Sequence, residues 1–159
     1  MLIRWSGHLI LCAVLLITLI SVFVPFSPSM PAAGLDPSWV LGMSEAVAQG
    51  LTFGTDIVFT FGPYASIYSH GYHPATDNMM LVGSLYLALS YFACFIVLLK
   101  NTQWRWTLIF CAMLVGVLHS KDALFFSLPL IIGLSTYKMF NADTGLLPKS
   151  KAIFLYVAL

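Results

Sequence analysis

One carboxylate, Asp36, lies shortly after the first apolar run of the chain and immediately before a helical pattern. A carboxylate placed where an apolar segment meets a polar loop can act as a general base toward a hydroxyl group. The same residue type is also a common helix N-cap, which contributes about 1 kcal/mol. The sequence leaves both interpretations of Asp36 open.

Other polar residues in the same region are weaker candidates for a functional site. Asp56 is either a further acid of a site or a turn former that bonds nearby backbone. His70 and His73 have a spacing compatible with a metal, although this spacing is more typical of polar residues at an interface. Tyr64 belongs to a group of aromatic residues that would line either a membrane surface or a groove for a sugar or lipid. Glu45 is expected on the solvent-exposed face of a helix.

The composition indicates a membrane protein. Of 159 residues, 60% are hydrophobic and 8% are charged, whereas a soluble domain has about 25% charged residues. This excludes a soluble globular domain and a disordered tail. The net charge of +1 provides no field to recruit a polyanion, so we expect no nucleic-acid partner.

Apolar runs of about 17–25 residues predict membrane-crossing helices. We expect an all-α, polytopic membrane protein with about four transmembrane helices, a truncated fifth, and an outer loop that carries juxtamembrane helices. The expected spans cover about 8–24, 79–99, 104–118 and 123–137, and another begins at 152. Because this last run stops after eight residues, we expect residues 1–159 to be the N-terminal part of a longer membrane domain.

Basic residues predict the orientation of these spans, because Lys and Arg concentrate in cytoplasmic loops. The loop 25–78 has no Lys or Arg and is therefore expected outside, with the N-terminus inside. A cleaved signal peptide is a rival interpretation of the first run and would leave the loop on the same side. The basic residues on the expected cytoplasmic side are Arg4, Lys100, Arg105, Lys138, Lys149 and Lys151.

The loop 25–78 also contains signals for local structure. Asp36 as N-cap, Pro37 at the first helical position and Gly50 as stop signal predict an amphipathic helix. Residues 53–61 are expected to be extended, because apolar and polar residues partly alternate there. Gly62-Pro63 predicts a turn that leads into a short helix from Tyr64.

These residues resemble the first outer loop of GT-C-fold glycosyltransferases, which include protein O-mannosyltransferases and aminoarabinose transferases. Those enzymes use polyprenyl-phosphate-linked sugars at the extracytoplasmic face. The resemblance covers about four spans and one loop. The residues that carry it are Asp36-Pro37-Ser38-Trp39, Ala46, Gly50, Phe53-Gly54-Thr55-Asp56 and Phe59-Thr60-Phe61-Gly62-Pro63.

The resemblance implies that Asp36 and Asp122 are the catalytic acids. Asp36 would serve as the base, while Asp122 would orient the acceptor, share a metal or hold Lys121. Lys121, Asp56 and Tyr64 are the candidate substrate-binding residues, with Lys121 neutralising the leaving phosphate. Pro37 stands where many family members have a second acid. No metal ligand is therefore assigned, and no cofactor beyond an optional divalent metal.

The expected function is that of the N-terminal portion of a GT-C-like membrane glycosyltransferase. It would move a hexosyl or pentosyl group from a polyprenyl-phosphate donor to a hydroxyl of a glycan, lipid or protein acceptor. The expected location is a bacterial cytoplasmic membrane, with lipid as a further partner. The alternatives are a non-catalytic multi-span accessory protein and a small transporter subunit.

Overall fold

The computed structural model describes residues 2–117 and 120–141. Within those residues the chain forms six α-helices and no β-sheet, which confirms the all-α class. The predicted span from residue 152 lies outside the described residues. The helices are α1 (Leu2–Phe23), α2 (Leu35–Ala48), α3 (Ala65–Ser69), α4 (Asp77–Leu99), α5 (Trp104–Gly116) and α6 (Lys121–Asn141).

In the described part of the chain, two helices are long and apolar enough to cross a membrane. These are α4, with 23 residues, and the segment Asp122–Phe140 of α6, with 19 residues. At about 1.5 Å per residue, 23 residues extend for roughly 35 Å, more than the hydrocarbon core of about 30 Å. Two shorter apolar segments are also helical: Leu9–Phe23, which is part of α1, and Trp104–Gly116, which is α5. These long apolar helices suggest membrane association, and the four-span topology stays a prediction.

The chain divides into two compact units. The helical unit consists of Met1–Val22 and Leu87–Leu159, and the loop unit consists of Phe23–Tyr86. The boundaries fall near the end of α1 and within α4, so the loop unit corresponds closely to the predicted outer loop 25–78.

Polar contacts join α4 to α6 inside the helical unit. The buried Tyr91 hydroxyl donates to the carbonyl of Leu124 and lies 2.8 Å from Ser127 Oγ. Lys138 Nζ donates to the carbonyl oxygens of Leu98 at 2.6 Å and Lys100 at 2.9 Å. The last carbonyls of a helix have no partner within it, so Lys138 satisfies the C-terminal end of α4.

The predicted end of α2 is confirmed, whereas its predicted start is wrong. The Gly50 N–H donates to the carbonyl of Val47 at 3.1 Å and the Leu51 N–H donates to that of Ala46 at 3.0 Å. This is a Schellman motif, and the positive φ of 68° at Gly50 allows it. At the other end, Gly34 is the N-cap and no side chain caps the helix. Asp36 is therefore not the N-cap but the second residue of α2.

The earlier start of α2 has a local cause. The Ser38 N–H donates to the carbonyl of Gly34 at 3.1 Å, and the Ser38 hydroxyl donates to the same oxygen. Gly34 has a φ of 139°, which a residue with a side chain rarely adopts. Pro37 is the third residue of α2 and not the first as predicted. It fits there because the first four N–H groups of a helix have no partner within it.

The prediction of an extended segment over residues 53–61 is wrong for its first half. Residues 52–57 form a tight turn, in which the Gly54 N–H donates to the carbonyl of Ile57 at 2.8 Å. Gly54 has a φ of 97°, so a glycine conformation rather than the alternating pattern determines the backbone here. The short helix predicted from Tyr64 is confirmed as α3, with Tyr64 as its N-cap.

Candidate functional site

Two backbone hydrogen bonds, together called the backbone tie, hold the segment after α1 beside the segment after α3. The Ser29 N–H donates to the carbonyl of His70, and the Tyr72 N–H donates to the carbonyl of Ser29, both at 2.9 Å. His70 ends α3 in the left-handed conformation, with a φ of 57°, and turns the chain toward Ser29. Ser29 and Gly71 therefore form an isolated parallel β-bridge.

Gly71 also packs directly against α2. It is buried, and a Cβ atom built on it would overlap Cγ1 of Val40. A glycine is required because the backbone approaches the helix more closely than a side chain would allow. The bridge and this close approach fix three segments of the loop unit together: the chain after Ser29, one face of α2, and residues 71–72.

These three segments enclose a cleft of about 320 Å³. Its walls are mainly apolar, and every lining residue belongs to the loop unit. The α2 residues in the lining follow helical spacing, which places them on one face. The lining residues are Ser29, Met30, Pro31, Ala32, Asp36, Pro37, Val40, Leu41, Ser44, Gly71 and Tyr72.

Asp36 is the charged residue of this cleft. It is exposed in the first turn of α2, and no Lys, Arg, His or second acid is among the lining residues. An exposed carboxylate can take a proton from a hydroxyl that binds within hydrogen-bond reach. The structure thus places the predicted base beside an apolar cavity, a feature that the sequence did not reveal.

A buried polar contact lies next to the cleft. Ser44, which is 3% exposed and contributes to the lining, accepts a hydrogen bond of 3.4 Å from the hydroxyl of Thr76. Thr76 is 1% exposed and directly precedes α4. Since buried hydroxyls need partners, this pair joins α2 to the start of α4 inside the loop unit.

A second polar contact links α2 to the segment after α3, and the sequence did not predict it. His73 Nε2 lies 3.2 Å from Glu45 Oε2, and the side-chain amide of Gln49 donates to Glu45 Oε1 at 2.9 Å. The hydrogen bond from Gln49, followed by that from His73, lowers the pKa of Glu45 from its ordinary value. Glu45 is exposed, as predicted, but it also binds a residue 28 positions away. No local sequence pattern marks such a pair.

Aromatic rings from the following loop and from α3 cluster around Trp39 of α2. The Trp39 ring stacks on Phe61, with centroids 5.2 Å apart and an angle of 7° between the planes. Phe61 stacks on Tyr68 at 4.5 Å, and Phe59 lies 5.5 Å from Trp39. Tyr72 lines the cleft. Tyr64 is exposed and lies outside the lining.

The other candidate residues lie outside this cleft. Asp56 is a turn former, because its Oδ2 accepts a hydrogen bond of 2.9 Å from the Thr52 N–H, and it does not line the cleft. Asp122 is exposed in the first turn of α6, which belongs to the helical unit. Lys121 begins α6, and its side chain lies outside the described part of the chain.

The histidine spacing noted in the sequence does not mark a metal centre among the described residues. There, no group of three or more His, Cys, Asp or Glu side chains is arranged to hold a metal ion. His73 is instead engaged with Glu45, and the His70 carbonyl belongs to the backbone tie.

Comparisons with models of protein families, with curated proteins and with solved structures found no match. The cleft beside Asp36 is therefore interpreted from its own geometry and from the residue pattern of the loop.

Gly71→Ala should destabilise the loop unit, because its Cβ would overlap Val40. Valine in a helix has one strongly preferred rotamer, so the collision cannot be relieved cheaply. We expect a loss of about 1–3 kcal/mol, the usual cost of overpacking, measured as the free energy of unfolding of the intact protein in detergent.

The matched control for this substitution is Gly62→Ala, since Gly62 has no atom within 4 Å of the added Cβ. Combining Gly71→Ala with Val40→Ala should recover most of the loss, because the second change removes the clashing methyl group. A Gly71→Ala protein as stable as Gly62→Ala would contradict the close approach.

Acid should remove a stabilising contribution of Glu45. A carboxylate whose pKa is lowered in the folded state stabilises that state above its unfolded pKa, and this contribution is lost as the pH falls through the folded value. The ordinary pKa is 4.5, so the loss should occur below about pH 4.5. We expect the melting temperature of the wild type to fall more between pH 7 and pH 3 than that of Glu45→Gln.

Gln49→Ala provides the control for this pH dependence, because it removes the hydrogen bond with the largest effect on the pKa of Glu45. It should give an intermediate fall in melting temperature. Equal falls in the wild type and Glu45→Gln would show that the contacts of Glu45 do not stabilise the folded state.

Proposed function

We propose that this chain forms the N-terminal part of a membrane glycosyltransferase of the GT-C type, with Asp36 as its general base. The observation that carries the proposal is the exposed carboxylate of Asp36 in the lining of an apolar cleft of about 320 Å³. The residue pattern from Asp36 to Pro63, which resembles the first outer loop of those enzymes, supports the same function.

In the proposed reaction, an acceptor hydroxyl binds in the cleft within reach of Asp36. The carboxylate takes the hydroxyl proton as the acceptor oxygen attacks the anomeric carbon of a polyprenyl-phosphate-linked sugar. The bond between this carbon and the phosphate oxygen breaks, and the phosphate leaves with the electron pair. Asp36 needs no other acid for this step, since a single positioned carboxylate can remove a proton.

The proposed setting is the extracytoplasmic face of a bacterial cytoplasmic membrane, with the N-terminus in the cytoplasm. Two features support it. The loop unit contains no Lys or Arg, as expected for a segment outside the cytoplasm. The helices α4 and α6 are apolar and long enough to cross a bilayer.

Asp122 and Lys121 keep their proposed roles in the helical unit. Lys121 would neutralise the leaving phosphate as a point charge, and Asp122 would hold Lys121. Asp56 and Tyr64 are not included in the proposed site, because Asp56 closes a turn and neither residue lines the cleft.

Asp36→Asn should lower the rate of sugar transfer by at least about 100-fold, the lower end of the effect of a general base. The amide keeps the size of the side chain and loses the ability to take the proton. The assay uses the intact protein in its native membrane and polyprenyl-phosphate donors carrying tritiated mannose, glucose or aminoarabinose. Transfer is measured as label incorporated into the membrane and envelope fractions.

Asp77→Asn is the matched control, because it removes the same charge from the loop unit outside the cleft. It should transfer sugar at the native rate. If Asp36→Asn also does so, or if the native protein transfers none of the three sugars, the proposed function is wrong. A non-catalytic accessory protein or a small transporter subunit would then be favoured.

A further inference from the structure

Among the described residues that line the cleft, Asp36 carries a negative charge and none carries a positive charge. The loop unit, all of which is described, contains four acids and no Lys or Arg. One of its histidines, His73, is held by Glu45, and no histidine lines the cleft. A phosphate placed there would face a carboxylate with no cation among the lining residues, and like charges repel.

The walls of the cleft favour an occupant that is partly apolar. Met30, Pro31 and Ala32 lie along the segment after Ser29, and Val40 and Leu41 lie on the facing side of α2. The volume of about 320 Å³ is at the lower end of the range of about 300–1,000 Å³ for ligand pockets. The cleft therefore suits a small head group with the first carbons of a chain, rather than a complete lipid.

From this charge and shape we propose that the cleft is the acceptor site and selects an amphiphile whose head donates hydrogen bonds and carries no negative charge. Hydroxyl and ammonium heads fit this description, and phosphate heads do not. The assignment of this occupant as the acceptor rests on the proposed function, whereas the selectivity of the cleft can be measured without sugar transfer.

The two substrates of the proposed reaction, the acceptor and the lipid-linked donor, are recognised at different places in the protein. All seven Lys and Arg residues of the sequence lie outside residues 5–99. The phosphate of a lipid-linked donor must therefore be neutralised by a cation from outside the loop unit. Asp36 and the apolar walls recognise the acceptor, and the donor phosphate is recognised by a different part of the protein.

The test is a competition between three amphiphiles with the same ten-carbon chain: decyl glucoside, decylammonium and decyl phosphate. The intact protein is placed in phosphatidylcholine nanodiscs and labelled by a decyl glucoside that carries a diazirine on its chain. Each competitor is added below the concentration at which it forms micelles. Chymotrypsin is used for digestion because residues 5–99 offer no site for trypsin, and mass spectrometry measures the labelling of peptides within residues 29–44.

We expect decyl glucoside and decylammonium to displace the label at concentrations at least about tenfold lower than decyl phosphate, a ratio typical of one charged hydrogen-bond partner. Asp36→Asn should abolish this preference. Asp77→Asn removes the same charge elsewhere in the loop unit and should preserve it.

Three results would overturn the proposal: equal or better competition by decyl phosphate, an unchanged preference in Asp36→Asn, or absence of label from residues 29–44. A failure here concerns the occupant of the cleft. A failure of the proposed function appears instead as native sugar transfer by Asp36→Asn, so the two outcomes are distinguishable.

Discussion

The backbone tie between Ser29 and Gly71 is the interaction on which the cleft depends. It pairs the backbone groups of Ser29 with those of His70 and Tyr72, and it holds the chain after α1 beside the chain after α3. Because Gly71 has no side chain, the same segment also packs against Val40 of α2. Without either contact, Asp36 would be an ordinary exposed acid near the start of a helix.

The two units differ in chemical character. In the helical unit, the described polar contacts satisfy helix carbonyls, such as those of Leu124 and Leu98, with Tyr91 and Lys138. These contacts stabilise helices among apolar surroundings. The loop unit contains the apolar cleft with Asp36 in its lining, a buried Ser44–Thr76 pair and a Glu45–His73 pair. The features suited to binding are therefore concentrated in the segment that the sequence predicts to lie outside the membrane.

The sequence predicted elements whose signals are local. The helix stop at Gly50 and the short helix after Tyr64 depend on neighbouring residues, and both are confirmed. The N-cap at Asp36 is wrong because Gly34 can start the helix earlier, in a conformation that few residues adopt. The extended segment is wrong from residue 53 to 57 because the conformation of Gly54 closes a turn.

The site could be predicted only in part, because its geometry depends on contacts between distant residues. Asp36 could be selected as a candidate from its position after an apolar run. The Ser29–Gly71 bridge joins backbone atoms, so no side-chain pattern in the sequence predicts it. The Glu45–His73 pair crosses 28 positions, and its members were interpreted separately as a helix face and an interfacial residue.

The central claim is that the cleft beside Asp36 opens on the extracytoplasmic side of the membrane. The most direct measurement replaces Cys12, Cys94 and Cys111 with Ala and adds a cysteine at Ala32, an exposed residue of the cleft lining. A membrane-impermeant thiol reagent is then applied to spheroplasts with an intact cytoplasmic membrane. A second cysteine is placed at the exposed Gln103, before α5, in a segment that the sequence predicts to be cytoplasmic. We expect labelling of Ala32→Cys in intact spheroplasts and of Gln103→Cys only after permeabilisation, and the reverse pattern would contradict the claim.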